Sequence, residues 1–208
     1  LADTIRTCRI CLESPRKLPL PHAPRPILRL SNKARLVIAS QAPGIRAHVS
    51  GTPFDDPSGE RLRAWMGIGP DLFYDETRVS IVPMGFCFPG HDASKGDLPP
   101  RVECRAAWHD AVFARMPQVE TILVIGLYAL RYHLARLHPD IAPSLGLTEQ
   151  VKAWRALFER PGLPRLIALP HPSWRNSGWL KRHPWFEVEV LPVVRAEVAR
   201  LVGTDAVG

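Results

Sequence analysis

Four cysteines are the residues most clearly spaced for chemistry. Cys8 and Cys11 form a C-x-x-C pair, and Cys87 and Cys104 flank a loop rich in Gly and Pro. A C-x-x-C pair lets two thiolates reach one metal from a single tight turn, and all-cysteine ligation suits zinc or a [4Fe–4S] cluster. Zinc sites usually repeat the C-x-x-C in both halves, and the long second gap departs from that pattern. Cysteine is also a common small core residue. Cys8 and Cys11, however, lie in a polar, Arg-rich stretch with little core to join. Spacing therefore favours a shared metal centre that staples the N-terminal segment, residues 1–30, to the rest of the chain.

The elements that must position these residues read as an alternation of strands and helices. Four short Val- and Ile-rich runs, Ala34–Ser40, Arg78–Met84, Thr121–Gly126 and Arg165–Pro170, have the near-continuous apolarity of strands buried on both faces. Helical spacing occupies the segments between them. One helix starts at Pro57 with Ser58 as its N-cap, a second spans Val102–Met116 and a third Leu127–Leu137. A fourth covers Thr148–Phe158 with a capping signal at Thr148, and an amphipathic stretch runs from Pro184 to Leu201 with a kink at Pro192. The pattern predicts a single three-layer α/β/α domain, residues 1–208, around a four-stranded, mainly parallel sheet. In such folds ligands bind beyond the carboxyl ends of the strands. Gln41-Ala42-Pro43-Gly44, Gly85-Phe86-Cys87 and His171-Pro172-Ser173 all follow strands there.

Composition bounds the partner. Lys and Arg number 27 against 20 Asp and Glu, a net charge of +7, which favours a polyanion such as nucleic acid without specifying a fold. No apolar run is long enough for a transmembrane helix. Leu1–Thr7 has no apolar core of a signal peptide. An intracellular, cytoplasmic chain is expected, and in that compartment cysteines serve metal or redox chemistry more often than disulfides.

Read together, three segments resemble the uracil-DNA glycosylase superfamily, and its thermostable iron–sulfur branch in particular. Ser40-Gln41-Ala42-Pro43-Gly44 with Gly51-Thr52-Pro53-Phe54 is similar to the "G-E-A-P-G … G-x-P-F" loop. The cysteine order and spacing match that branch, and His171-Pro172-Ser173 with Arg175-Asn176 resembles the "H-P-S/A" motif and its intercalating loop. The resemblance implies a monomeric DNA-repair enzyme holding a [4Fe–4S] cluster on Cys8, Cys11, Cys87 and Cys104. Such enzymes flip a damaged base out of DNA and hydrolyse its N-glycosidic bond. It implies that His171 donates a hydrogen bond to the base carbonyl as negative charge develops, and that Phe54 stacks on the flipped base. Gln41 would contact the base or the attacking water, and Ala42 would border the base. Ser173, Trp174, Arg175 and Asn176 would enter the minor groove or fill the vacated stack.

Two departures from the family pattern matter. The first loop has Gln41 and Ala42 where relatives place an acidic residue, and an amide orients water but cannot act as a base. His48, Asp55 and Asp56 are the neighbouring groups able to compensate, with His48 the preferred one. The family's uracil-reading Asn corresponds to Pro83, which leaves main-chain groups of Met84, Gly85 and Phe86 as substitute readers and implies looser base selection. Two further readings stay open: a catalytically weak lesion-binding module, and a zinc-stapled protein acting on free nucleotides.

Overall fold

A computed structural model of the chain describes residues 1–94, 96–141, 146–162 and 164–203. Lys95, in the loop between the third and fourth cysteines, and residues 204–208 of the expected domain lie outside them. The four Val/Ile-rich runs form β1 (Leu36–Ala39), β2 (Val79–Ile81), β3 (Thr121–Ile125) and β4 (Arg165–Leu169). They pair in the order β2-β1-β3-β4, every pair parallel. Almost every strand residue is buried because helices cover both faces, which is why the strands read as continuous apolar runs. Residues 27–29 run along the free edge of β2, where Arg29 and Ile81 exchange backbone hydrogen bonds. That covering strip protects an otherwise open strand edge.

The order places β1 between β2 and β3, so the chain leaves β1 in one direction and later returns to its other side. This reversal puts the carboxyl end of β1 at a switch point, where open parallel sheets leave a crevice.

Four helical stretches differ from the sequence expectation. The expected Val102–Met116 helix passes through a π turn at Arg105–His109 and ends at Ala114. The helix Pro57–Met66 is capped by Asp56, whose Oδ1 accepts from Gly59 N at 2.8 Å, and not by Ser58. Pro57 takes the first helical position, so the cap falls at Asp56, two residues before Ser58. The expected Thr148–Phe158 helix is two short helices, Leu147–Lys152 and Trp154–Phe158, meeting at Ala153 and preceded by Gly146. Thr148 instead accepts a hydrogen bond from Trp179 Nε1 at 2.8 Å. Pro192 lies in the first turn of the helix Leu191–Val202, after a wide π turn at Phe186–Val190. A proline is tolerated in that first turn, so Pro192 falls at a helix start and not inside the helix as expected.

His133 and His138 are buried, and burial holds both rings below the ordinary value of 6.5. The unfolded chain takes up these protons below about pH 6.5 and the folded chain resists them, so stability falls as the pH drops. Denaturant unfolding at pH 7 and pH 5 is expected to show the lower stability at pH 5.

Candidate active site

A cleft of about 380 Å³ opens at the carboxyl ends of the strands. Its floor is Ser40, Ile81 and Pro83, and its walls are the loop after β1, Phe54, Asp56 and the loop after β4. That volume is at the small end of ligand pockets, a size suited to a nucleobase with its sugar.

His171 follows β4 and lines the cleft. Its Nδ1 accepts from the backbone N–H of Ser173 at 3.2 Å, and its carbonyl accepts from Asn176 Nδ2 at 2.7 Å. A backbone N–H can only donate, so Nδ1 holds the lone pair and the neutral ring carries its proton on Nε2. Burial lowers the ring's proton affinity, against opposing pulls from Asp56 and then Asp97. The side chain is thus a neutral N–H donor with a fixed tautomer. Arg61 braces the same loop through Nη1, which donates to Ser173 O at 3.0 Å.

Phe54 is held unusually. Its φ is +58°, the only positive value at a non-glycine position among the described residues. Bulky side chains rarely adopt that region, and such strain persists where surrounding contacts enforce it. Here Tyr74 Oη donates to Phe54 O at 3.3 Å and the ring meets Phe73 edge-on. Gly59 packs so closely that an added Cβ would lie 1.8 Å from Phe54 O. Gly59→Ala is therefore expected to cost about 3 kcal/mol and to displace Phe54, checked by denaturant unfolding.

The loop after β4 presents Trp174 at 75% exposure, with Arg175 over its ring at 5.9 Å. Ser173, Trp174 and Arg175 line the rim of the cleft, while Asn176 holds the loop's shape.

Other expected residues fall elsewhere. Ala42 is on the wall, but Gln41 is not among the lining residues; its amide rests against Gly126, where an added Cβ would lie 2.6 Å from Nε2. His48 sits on the opposite side of the helix Ile45–Ser50 from the cleft, packed on His22 at 4.2 Å and near Phe88. Burial, then His22 and Arg25, lowers its proton affinity. Met84 and Gly85 do not line the cleft, and their amides already donate to Ser40 O and Gln41 O. Phe86 N points at Cys104 Sγ.

Arg61 and Asp97 are wall residues that the sequence did not single out. Arg61 lies on the helix Pro57–Met66, outside the motif loops. Asp97 sits in the loop between the third and fourth cysteines, lies beside Gly44 and pairs with His91 at 3.2 Å. Its only signal was a carboxylate inside a Gly- and Pro-rich loop.

The cysteines converge beside this region. Cys11, Cys87 and Cys104 are buried, and all four are free of disulfides. The Cys104 thiol donates to Cys11, which lowers Cys11 to about 7, while burial raises Cys87 to about 12. N–H groups point at three of the sulfurs: Trp108 Nε1 to Cys8 at 3.4 Å, Phe86 N to Cys104 at 3.5 Å and Arg25 N to Cys87. Four thiols, three of them with N–H donors aimed at the sulfur, are a donor set suited to a thiolate-bound centre. No three His, Cys, Asp or Glu among the described residues sit in a group for a single metal ion. Arg25 also donates through Nη1 to the carbonyls of His48 and Val49 at 2.7 and 2.8 Å. One residue thus ties the cysteine region to the end of the Ile45–Ser50 helix, just before Phe54.

Fold and site together define a three-layer α/β/α protein with a nucleobase-sized cleft, a neutral histidine donor and an exposed aromatic loop at its rim. The family model of the uracil DNA glycosylase superfamily matches residues 29–195, and the chain belongs to that superfamily. Its members are DNA glycosylases, and in this chain no helix among the described residues is long and apolar enough to cross a membrane.

Proposed function

We propose that the protein is a monofunctional, monomeric DNA glycosylase that removes uracil, and less strictly other deaminated bases, and leaves an abasic site. The observation that carries this reading is the fixed Nε2–H of His171 in a cleft that also holds Phe54. Bond cleavage makes the base anionic and the sugar cationic. His171 donates to the base carbonyl where the negative charge grows, and a neutral donor leaves the developing anion unprotonated until it departs. Phe54 stacks on the flipped base, and Trp174 and Arg175 occupy the gap it leaves.

Asp56 takes the part the first loop lacks. It lines the cleft, its carboxylate is pinned by the Gly59 cap, and it acts on His171. A carboxylate facing a polyanionic substrate opposes binding, yet it stabilises a cationic sugar and orients water. Asp55 is exposed outside the cleft lining and His48 faces away, which favours Asp56 over both. With Pro83 on the floor, no side-chain amide reads the far edge of the base, in keeping with relaxed selection.

The cysteines, in this reading, hold a [4Fe–4S] cluster. The cluster supplies no chemistry at the glycosidic bond and cross-links the N-terminal segment to the Cys87–Cys104 loop. Metal and sulfide analysis of the purified protein is expected to give four irons and four sulfides per chain; zinc in a colourless protein would contradict it. Substituting Cys104 by Ser is expected to remove the colour and lower stability.

The reading is tested with duplex and single-stranded oligonucleotides carrying uracil, hypoxanthine or mismatched thymine. Uracil release fastest, with measurable hypoxanthine release, is expected. A strict preference for uracil alone would refute the relaxed pocket.

A further inference from the structure

A second concavity of about 260 Å³ lies on the other side of the β2 loop from the cleft. Pro83 belongs to the cleft and Met84 to the groove, so the two share one peptide unit. The far wall of the groove is the start of the helix Leu127–Leu137, which leaves β3 through Gly126, the glycine on which Gln41 rests. Both concavities therefore open on the same edge of the sheet.

The groove's chemistry is basic and aromatic. Arg101, Arg105 and Arg131 line it with Tyr128 and Tyr132, and no carboxylate is among its lining residues. Arg101 is committed to Leu18 O and Glu103. Arg105 and Arg131 are exposed, and neither is among the described ion pairs; Arg105 lies 6.0 Å from the ring centre of Tyr132. Tyr128 is 46% exposed at the mouth. Arginines beside an aromatic face match a nucleic-acid strand, with phosphates on the cations and a base on the ring.

Resting on the glycosylase reading for its substrate, we propose that this groove takes the damaged strand beyond the flipped nucleotide. A base stacks on Tyr128, and Arg105 and Arg131 each meet a phosphate. The shared Pro83–Met84 peptide places the groove within a few nucleotides of the base in the cleft. The protein then grips its strand at two places, which explains why the charge excess need not be concentrated at the cleft rim.

The test is a binding titration with single strands carrying a 2′-fluoro deoxyuridine, whose fluorine resists cleavage by destabilising the sugar cation. One strand extends past the uracil on both sides, and two others end at it, one on the 5′ side and one on the 3′ side. Arg105→Gln/Arg131→Gln is expected to weaken the full strand at least about tenfold at low salt. It should reduce the salt slope by about 1.4, roughly 0.7 per phosphate. Tyr128→Ala should weaken it about tenfold with the slope unchanged. Wild type should lose the same increment on one of the two shortened strands, and on that strand the variants should bind as wild type does. Equal loss on all three strands, or no loss, overturns the proposal. So does a double variant that binds every strand normally but fails to bind a poly-glutamate peptide held by wild type, which would assign the groove to an acidic protein surface. Far-UV circular dichroism and melting of each variant, unchanged from wild type, exclude misfolding as the cause. Failure of wild type to release uracil would refute the glycosylase reading separately, because the groove is judged on binding alone.

Discussion

Replacing His171 by Ala is expected to slow uracil release by about 10²–10³-fold, with DNA affinity changed by no more than a few-fold. The size follows from what is removed. In the proposed reaction His171 offers one preorganised donor where the departing base becomes negative, and donors of that kind contribute about 3–4 kcal/mol to the transition state and little to the ground state. The structure adds a condition on how it works. Ser173 N–H occupies Nδ1, so the active proton is on Nε2, and burial keeps the ring neutral. His171→Gln, which can still donate, should recover part of the loss. Single-turnover release and binding to uncleavable DNA, measured side by side, separate the two effects. Loss of binding in proportion to turnover would instead make His171 a scaffold for the Trp174 loop.

Asp56→Asn is expected to lower turnover by about 10²-fold while DNA binding stays equal or tightens. Asparagine is as good an N-cap as aspartate, so the Pro57–Met66 helix should keep its start and the melting temperature should barely move. Only the charge is lost. The opposite signs of the two effects are the signature: a carboxylate that repels DNA phosphates but steadies a cationic sugar slows chemistry when neutralised and helps binding. Asp56→Ala should add a stability cost of about 1 kcal/mol from the lost cap. Full activity in Asp56→Asn would remove Asp56 from the chemistry, and Asp97, the other carboxylate on the wall, would be the next substitution to make.

Much of this was legible in the sequence for definite physical reasons. The strands were visible because a parallel sheet covered on both faces is apolar almost throughout, as Leu36–Ala39 and residues 122–125 are. The placement of His171 and the first loop followed from those strands, since ligands gather at their carboxyl ends. What was hidden depended on which way a short element faces. The helix Ile45–Ser50 is too short to show a period, so nothing in the sequence tells that Ala47 turns into the cleft and His48 away from it. Gln41 was expected at the water and instead lies against Gly126, a contact set by the neighbouring strand's exit. Asp97 and Arg61 were hidden because each reaches the cleft across a long sequence separation, Arg61 bracing Ser173 and Asp97 lying beside Gly44. The strained φ of Phe54 is equally invisible in sequence, yet it marks the first loop as a built site.

Hydrolysis of an N-glycosidic bond in this cleft would leave two products, a free base and an abasic strand. Its most direct test is single-turnover incubation of the wild-type protein with a uracil-containing oligonucleotide, with the free base and the strand quantified separately. Free uracil is expected in equal amount to abasic strand, which stays intact until alkali is added. A protein that binds the same oligonucleotide tightly, with salt-dependent affinity, yet releases no base from it or from any deaminated-base substrate would overturn the glycosylase reading and establish a lesion-binding module in its place.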